Sequence, residues 1–208
     1  TGATCVLKPS EHTPLSAQIY AEIVDAAGFP AGVFNLVQGD GNAVGAAMSR
    51  HPDISMMSFT GSTRAGRAVS KDAADTVKRV TLELGGKSPN LVFSDADLKK
   101  RITESVAACF YNSGQSCDAP TRLLVERSCY DQVVALAKTA GESHKVGDPA
   151  QEGNHIGPLF DKIQYDRVQT MIQVGIDEGA RVLVGGAGKP AGFEHGWFAK
   201  PTIFCDVD

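Results

Sequence analysis

The segment Asn112-Ser113-Gly114-Gln115-Ser116-Cys117 holds the side chain best suited to nucleophilic chemistry in this sequence. A cysteine attacks as its thiolate, which needs access together with nearby N–H groups or positive charge. Gly114 permits a tight backbone path, and the small residues leave room around the thiol. Taken alone, a cysteine in such a turn is more often inert and buried, as free cysteines generally are. A second group changes that balance. Glu83 sits between two leucines in Leu82-Glu83-Leu84-Gly85-Gly86-Lys87-Ser88-Pro89-Asn90, at the end of a predicted strand. A glutamate there is either a surface or ion-paired side chain, or a general base tuned by partial burial. The adjacent Gly85 and Gly86 let the backbone pass close to something bulky.

The elements that carry these groups follow from hydrophobic periodicity. Cys5-Val6-Leu7 predicts a strand. A helix follows, with Thr13 as N-cap, Pro14 in the first turn and Gly28 as the stop. Leu15, Ile19, Ile23, Val24 and Ala27 fall on one face of it. Strands at 33–37, 54–59 and 80–84 alternate with helices at 41–50 and 62–74. Such alternation with short connections indicates a parallel, doubly wound sheet. After Gly85-Gly86 the pattern gives strands at 90–93, 122–126 and 181–184. It gives helices at about 98–111, 130–140 and 162–178. The domain boundary is therefore placed at Gly85-Gly86, between residues 1–85 and 86–208. The first residue is Thr1, the opening reads as a strand in progress and residues 201–208 show no closing element, so a piece of a longer protein is expected.

Composition bounds the function. Hydrophobic residues make up 42% and charged residues 21%, which supports a packed core over disorder. The net charge is −4 and the basic residues are scattered, against nucleic acid or an anionic membrane as partner. No apolar run approaches the roughly 20 residues that span a bilayer, and no signal peptide opens the chain. Five cysteines without a CxxC spacing argue against a disulfide framework or a structural metal and fit a reducing, cytoplasmic setting.

Three further groups carry a structural and a binding alternative. Lys8 and Glu11, three apart at a strand end, form either an exposed ion pair or a two-sided grip on a sugar hydroxyl pair. Ser62 or Thr63 caps the helix that follows Phe59-Thr60-Gly61, and its N-terminal N–H groups suit a phosphate. The turn Gly39-Asp40-Gly41-Asn42-Ala43-Val44-Gly45 is glycine-rich but lacks a GxGxxG pattern.

The glutamate and cysteine segments together resemble the two characteristic motifs of the aldehyde dehydrogenase superfamily, at that family's spacing, and the resemblance extends over nearly the whole chain. It implies part of a Rossmann-type parallel-sheet cofactor domain in residues 1–85, followed by an α/β catalytic domain in 86–208 that is incomplete at its C-terminus. It implies that Cys117 attacks an aldehyde carbonyl, that its backbone N–H helps hold the oxyanion, and that Glu83 activates the water that hydrolyses the thioester. The cofactor implied is NAD, with NADP as a second acceptor, held by Lys8, Ser10, Glu11, Gly41, Gly45, Phe59, Gly61, Ser62, Leu84 and Gly85. Lys8 and Glu11 would bind the adenosine ribose, and the Glu11 carboxylate would disfavour a 2′-phosphate. Gly61 and Ser62 would lie beside the pyrophosphate, and Gly45 near the adenine. The substrate implied is a small aldehyde, in a homodimer or homotetramer.

Two positions depart from the family pattern, and two residues of that pattern fall outside this chain. Asp118 follows Cys117 where a neutral residue is usual, and a carboxylate there would tend to raise the thiol pKa. Arg167 replaces a usual lysine, and with Gln164 it reads as a solvated helix face. The family's oxyanion asparagine would precede Thr1 and its ribose-binding glutamate would follow Asp208, so the 208-residue chain alone is expected to be inactive. Semialdehyde or CoA-acylating chemistry on the same scaffold, and a non-catalytic protein of the same fold, are the alternatives; the presence of Glu83 favours hydrolysis.

Overall fold

The computed structural model describes residues 2–207, which divide into two compact units on either side of the Gly85–Gly86 bond. The first contains β1 (Cys5–Leu7), α1 (Leu15–Ala26), β2 (Phe34–Leu36), a wide π-type turn (Gly41–Gly45), α2 (Ala46–Arg50), β3 (Met56–Gly61), α3 (Thr63–Ala74) and β4 (Arg79–Leu84). β1 pairs with β2 and β3 with β4, both in parallel. Parallel pairing with intervening helices is what the strand–helix alternation predicts; among the described residues the four strands form two parallel pairs.

One expectation for α1 needs correction. Its N-cap is Pro14 rather than Thr13, and no side chain caps it. The Thr13 N–H donates instead to the Ser10 carbonyl (3.1 Å), while the φ of Pro14, −82°, is already near helical. Of the apolar stripe, Leu15, Ile19 and Ile23 are 77, 57 and 59% exposed. The half-buried positions are Ala17, Ala21 and Val24, and Tyr20 meets Phe34 edge-on with ring centroids 5.4 Å apart. Small side chains let the helix lie close to β2, and periodicity alone does not say which stripe a strand will accept.

The second unit contains β5 (Pro89–Val92), α4 (Leu98–Phe110), β6 (Arg122–Val125), α5 (Tyr130–Ser143), α6 (Lys162–Asp177), β7 (Arg181–Val184) and β8 (Ile203–Cys205). β5 and β6 are parallel. β8 runs antiparallel to β7, where the sequence pattern gave no element. Three residues are too few to display an alternation, and their partner strand is distant in sequence. The core joins Val92, Leu98, Ile102, Val106, Cys129, Val133, Ala137 and Ala140, so α4 and α5 pack on each other over β5. The Asp97 carboxylate starts α4 by accepting the Lys100 N–H (3.2 Å).

Asp206, at φ +56°, ties this unit together. Its carboxylate accepts from Arg181 Nε (2.6 Å) and from the Tyr130 hydroxyl (2.7 Å), and its N–H donates back to the Tyr130 oxygen (2.9 Å). The Arg181 hydrogen bond first, and that of Tyr130 second, hold this carboxyl below the usual aspartate range. A carboxyl with a lowered folded pKa stabilises the fold above its unfolded value and loses that contribution as pH falls through the folded value.

Two outcomes follow in the complete protein. Gly141 lies inside α5, where a Cβ would come 2.7 Å from Ile203 Cδ1 and 3.1 Å from Val184 Cγ2. Alanine gains up to about 1 kcal/mol of helix preference, but overpacking costs about 1–3 kcal/mol, so Gly141→Ala should lower the urea midpoint. A raised midpoint would contradict this packing. Asp206→Asn should be less stable than the parent at neutral pH, with the gap closing as pH drops below the ordinary aspartate value of 3.8. A gap that does not change with pH in the same urea titrations would count against the paired carboxylate.

Candidate active site

α4 delivers the chain to the cysteine turn. Tyr111 leaves the helix at φ −52°, ψ 139°, and Asn112 and Ser113 then take left-handed conformations at φ 51° and 57°, followed by Gly114 at 74°. Glycine tolerates this region freely, but each non-glycine residue in it costs about 1–2 kcal/mol. Bonds within and beyond the turn offset that strain. The Gln115 N–H donates to the Asn112 carbonyl (3.1 Å), and Asn112 Nδ2 donates to the Gln115 carbonyl (3.3 Å). Ser113 Oγ donates to the Gly157 carbonyl (2.9 Å), and Gln115 Oε1 accepts the Phe160 N–H (3.1 Å). Cys117 emerges from this turn exposed to solvent, with Asp118 exposed beside it. The Gly86 backbone lies near it: a Cβ there would come 4.0 Å from the Cys117 carbonyl oxygen.

The other cysteines of this unit differ. Cys129 and Cys205 are buried and Cys109 is half-buried. Burial pushes the Cys109 thiol up in pKa, partly countered by the Lys87 charge. Burial does the same to Cys205, against the pull of Arg181.

In the first unit, the register of β3 and β4 sets Thr60 beside Glu83 and Gly61 beside Leu84. Both strands therefore end together, and Phe59, Gly61, Ser62, Glu83, Leu84 and Gly85 collect at their carboxyl ends. The alternation of β4 turns Leu82 and Leu84 inward and leaves Glu83 exposed, which corrects the partial burial expected from its leucine neighbours. Ser62 caps α3, its Oγ accepting the Ala65 N–H (3.2 Å). Gly61 makes room for the Phe59 ring, whose Cζ would lie 2.6 Å from a Cβ at that position.

A second group forms beyond β1 and β2. Lys8 Nζ donates to the carbonyls of Pro9 (2.6 Å) and Gly39 (2.8 Å) and lies 3.5 Å from Glu11 Oε2. Its own backbone hydrogen bond, aided by the Lys8 charge, holds the Glu11 carboxyl below its ordinary value. Gly45 faces this lysine, with 3.9 Å between a Cβ there and Lys8 Cε, and Gly41 is open. The Ser10 hydroxyl accepts the His12 N–H (3.3 Å). The helix expected over 41–50 opens as the π-type turn, its Val44 and Gly45 N–H groups both directed at the Asp40 carbonyl (3.0 and 3.4 Å). The Asp40 carboxylate caps the turn by accepting the Ala43 N–H (2.8 Å), a role its position before a glycine-led helix could have signalled.

Gln164 and Arg167 are not alike: Arg167 is exposed, but Gln164 is half-buried and gives its N–H to Asp161 Oδ1 (2.7 Å). Among the described residues no group of three or more His, Cys, Asp or Glu side chains could hold a metal ion. No helix among them is long and apolar enough to cross a membrane.

The family model for the aldehyde dehydrogenase family matches residues 1–208. The chain belongs to the aldehyde dehydrogenase family. A 3-succinoylsemialdehyde-pyridine dehydrogenase of a Pseudomonas species is 52% identical over 207 residues, a match that takes in 100% of this chain and 43% of that protein. The crystal structure of an aldehyde dehydrogenase from Bartonella henselae superposes with a TM-score of 0.96 at 56% identity, over 99% of this chain and 43% of that one. A mutant of aldehyde dehydrogenase C from Pseudomonas syringae, in complex with NAD+ and octanal, gives 0.95 at 51% identity, over 99% and 42%. This member of the aldehyde dehydrogenase family thus spans less than half the length of the relatives it matches.

Exposure orders the thiols of the second unit. With limiting iodoacetamide and peptide mass spectrometry, Cys117 should be modified ahead of Cys109, Cys129 and Cys205. Modification of Cys109 before Cys117 would contradict the geometry of the turn.

Proposed function

We propose that the protein carrying this chain oxidises an aldehyde to a carboxylic acid with NAD, through a covalent intermediate on Cys117. The observation that carries this is the exposed thiol on a strained turn, in a chain that belongs to the aldehyde dehydrogenase family. Strain of that kind in a non-glycine residue is characteristic of functional sites.

The first unit fits a dinucleotide. Ligands of open α/β folds bind beyond the carboxyl ends of parallel strands, where Gly61, Ser62, Leu84 and Gly85 gather. The N-terminus of α3 suits a phosphate, and the Lys8–Glu11 pair suits a ribose. The Glu11 carboxylate favours NAD over NADP, since it would repel a 2′-phosphate. The Pseudomonas syringae and Bacillus cereus relatives solved with NAD+ support the same choice. NAD, when bound, accepts the hydride that converts a thiohemiacetal to a thioester.

The residues of this chain would do the rest. The Cys117 thiolate adds to the aldehyde carbonyl carbon, and the Cys117 N–H donates to the oxyanion that forms. After oxidation, Glu83 takes a proton from water, whose oxygen attacks the thioester carbonyl. The carbon–sulfur bond breaks, the acid departs and the thiolate is regenerated. Exposure of Glu83 leaves its carboxylate in reach of water.

Octanal and NAD form the test in the complete protein. Cys117→Ala should abolish turnover. Glu83→Gln should retain a burst of NADH while steady turnover falls by about 10² or more, because loss of a general base slows deacylation. Parental turnover by Cys117→Ala would overturn the covalent route.

A further inference from the structure

We infer that Ser113 and Gln115 are positioning residues, which hold the Cys117 turn by stitching it to residues 157–160. The inference rests on Cys117 as the nucleophile and adds what keeps that nucleophile in place. The two bonds cross long stretches of sequence, from Ser113 Oγ to the Gly157 carbonyl (2.9 Å) and from the Phe160 N–H to Gln115 Oε1 (3.1 Å). The other end of the Gln115 side chain donates from Nε2 to the Asn112 carbonyl (3.2 Å). One amide group therefore straps the turn across itself and fastens it to a remote segment.

The segment that receives these bonds is itself fixed. The Ile156 N–H donates to the Lys145 carbonyl (2.8 Å), and Val146 and Ile156 form a parallel bridge. The Leu159 N–H donates to the Trp197 carbonyl (2.9 Å), and the Leu159 side chain is buried. Asp161 follows at once as the N-cap of α6. Positive φ is uncommon outside glycine, and serine adopts it less readily than asparagine, so Ser113 carries most of the strain. Without the stitches the turn is free to relax toward ordinary backbone conformations, carrying the thiol with it. Because both stitches act on one turn, losing either should release it.

The test uses the complete protein with octanal and NAD. Ser113→Gly removes the hydroxyl where glycine tolerates the backbone, and Gln115→Met keeps length while removing both amide bonds. Each should lower kcat and the rate of Cys117 alkylation by about tenfold to a hundredfold, as small misplacements of a reacting group do. KM for NAD and the melting temperature should stay near the parent's. Gln115→Glu keeps the acceptor for the Phe160 N–H but sets a carboxylate against the Asn112 carbonyl, so it should recover part of the loss. The double variant should be about as impaired as the worse single one. If Cys117→Ala is inactive but Ser113→Gly and Gln115→Met keep parental kcat and alkylation, positioning is overturned and the nucleophile stands. Active Cys117→Ala would remove the nucleophile itself. If melting temperature and KM fall in step with kcat and Gln115→Glu rescues nothing, the bonds serve only the fold and the inference fails.

Discussion

The turn after α4 runs against the backbone preference of two of its three left-handed residues, and the second unit supplies what holds it there. Bonds between Asn112 and Gln115 give the positive φ of Asn112 and Ser113 only local support. Hydrogen bonds to Gly157 and Phe160 supply the non-local part. The core of α4 and α5 matters to the thiol because it fixes where the helix ends and so where the turn begins. Buried Ile102 and Val106 set the rotation of α4, and the chain leaves it at Tyr111 with the direction that rotation imposes. The exposure of Cys117 thus depends on a backbone conformation that the surrounding fold imposes.

The first unit uses a different device. Parallel pairing brings the ends of β3 and β4 level, so residues distant in sequence become neighbours without any side-chain contact. The same pairing in β1 and β2 brings Lys8 to the Gly39 carbonyl. Residues with binding potential gather where strands end because the ladder uses the backbone groups within the strands and leaves those beyond them available.

Local features were the legible ones. The Ser62 cap, the Gly28 stop at φ +75° and the strand that carries Glu83 are each written within a few residues, and each lies where the pattern puts it. The cysteine and glutamate segments stood out as a pair, through their resemblance to the family's two motifs, and neither would have stood out alone. What escaped was non-local or a matter of facing. β8 exists only through β7, and the partners of Ser113 and Gln115 lie more than forty residues away. The choice of buried stripe on α1 depends on Phe34 and β2, which the helix sequence does not contain. Thr13 lies one residue before the helix begins, because Pro14 takes the N-cap position.

Burial is shared unevenly between the two units. The contiguous buried cluster belongs to α4, α5 and β5, whereas the buried side chains described in the first unit, Ser49, Met57 and Ala73, are few. Amide protons of α4 and α5 sit under packed aliphatic carbon, while those of α1 ride on a helix whose leucine and isoleucines face water. Solvent deuterium should therefore enter α1 long before it enters α4, and a protease should find the first half of the chain more yielding than the second.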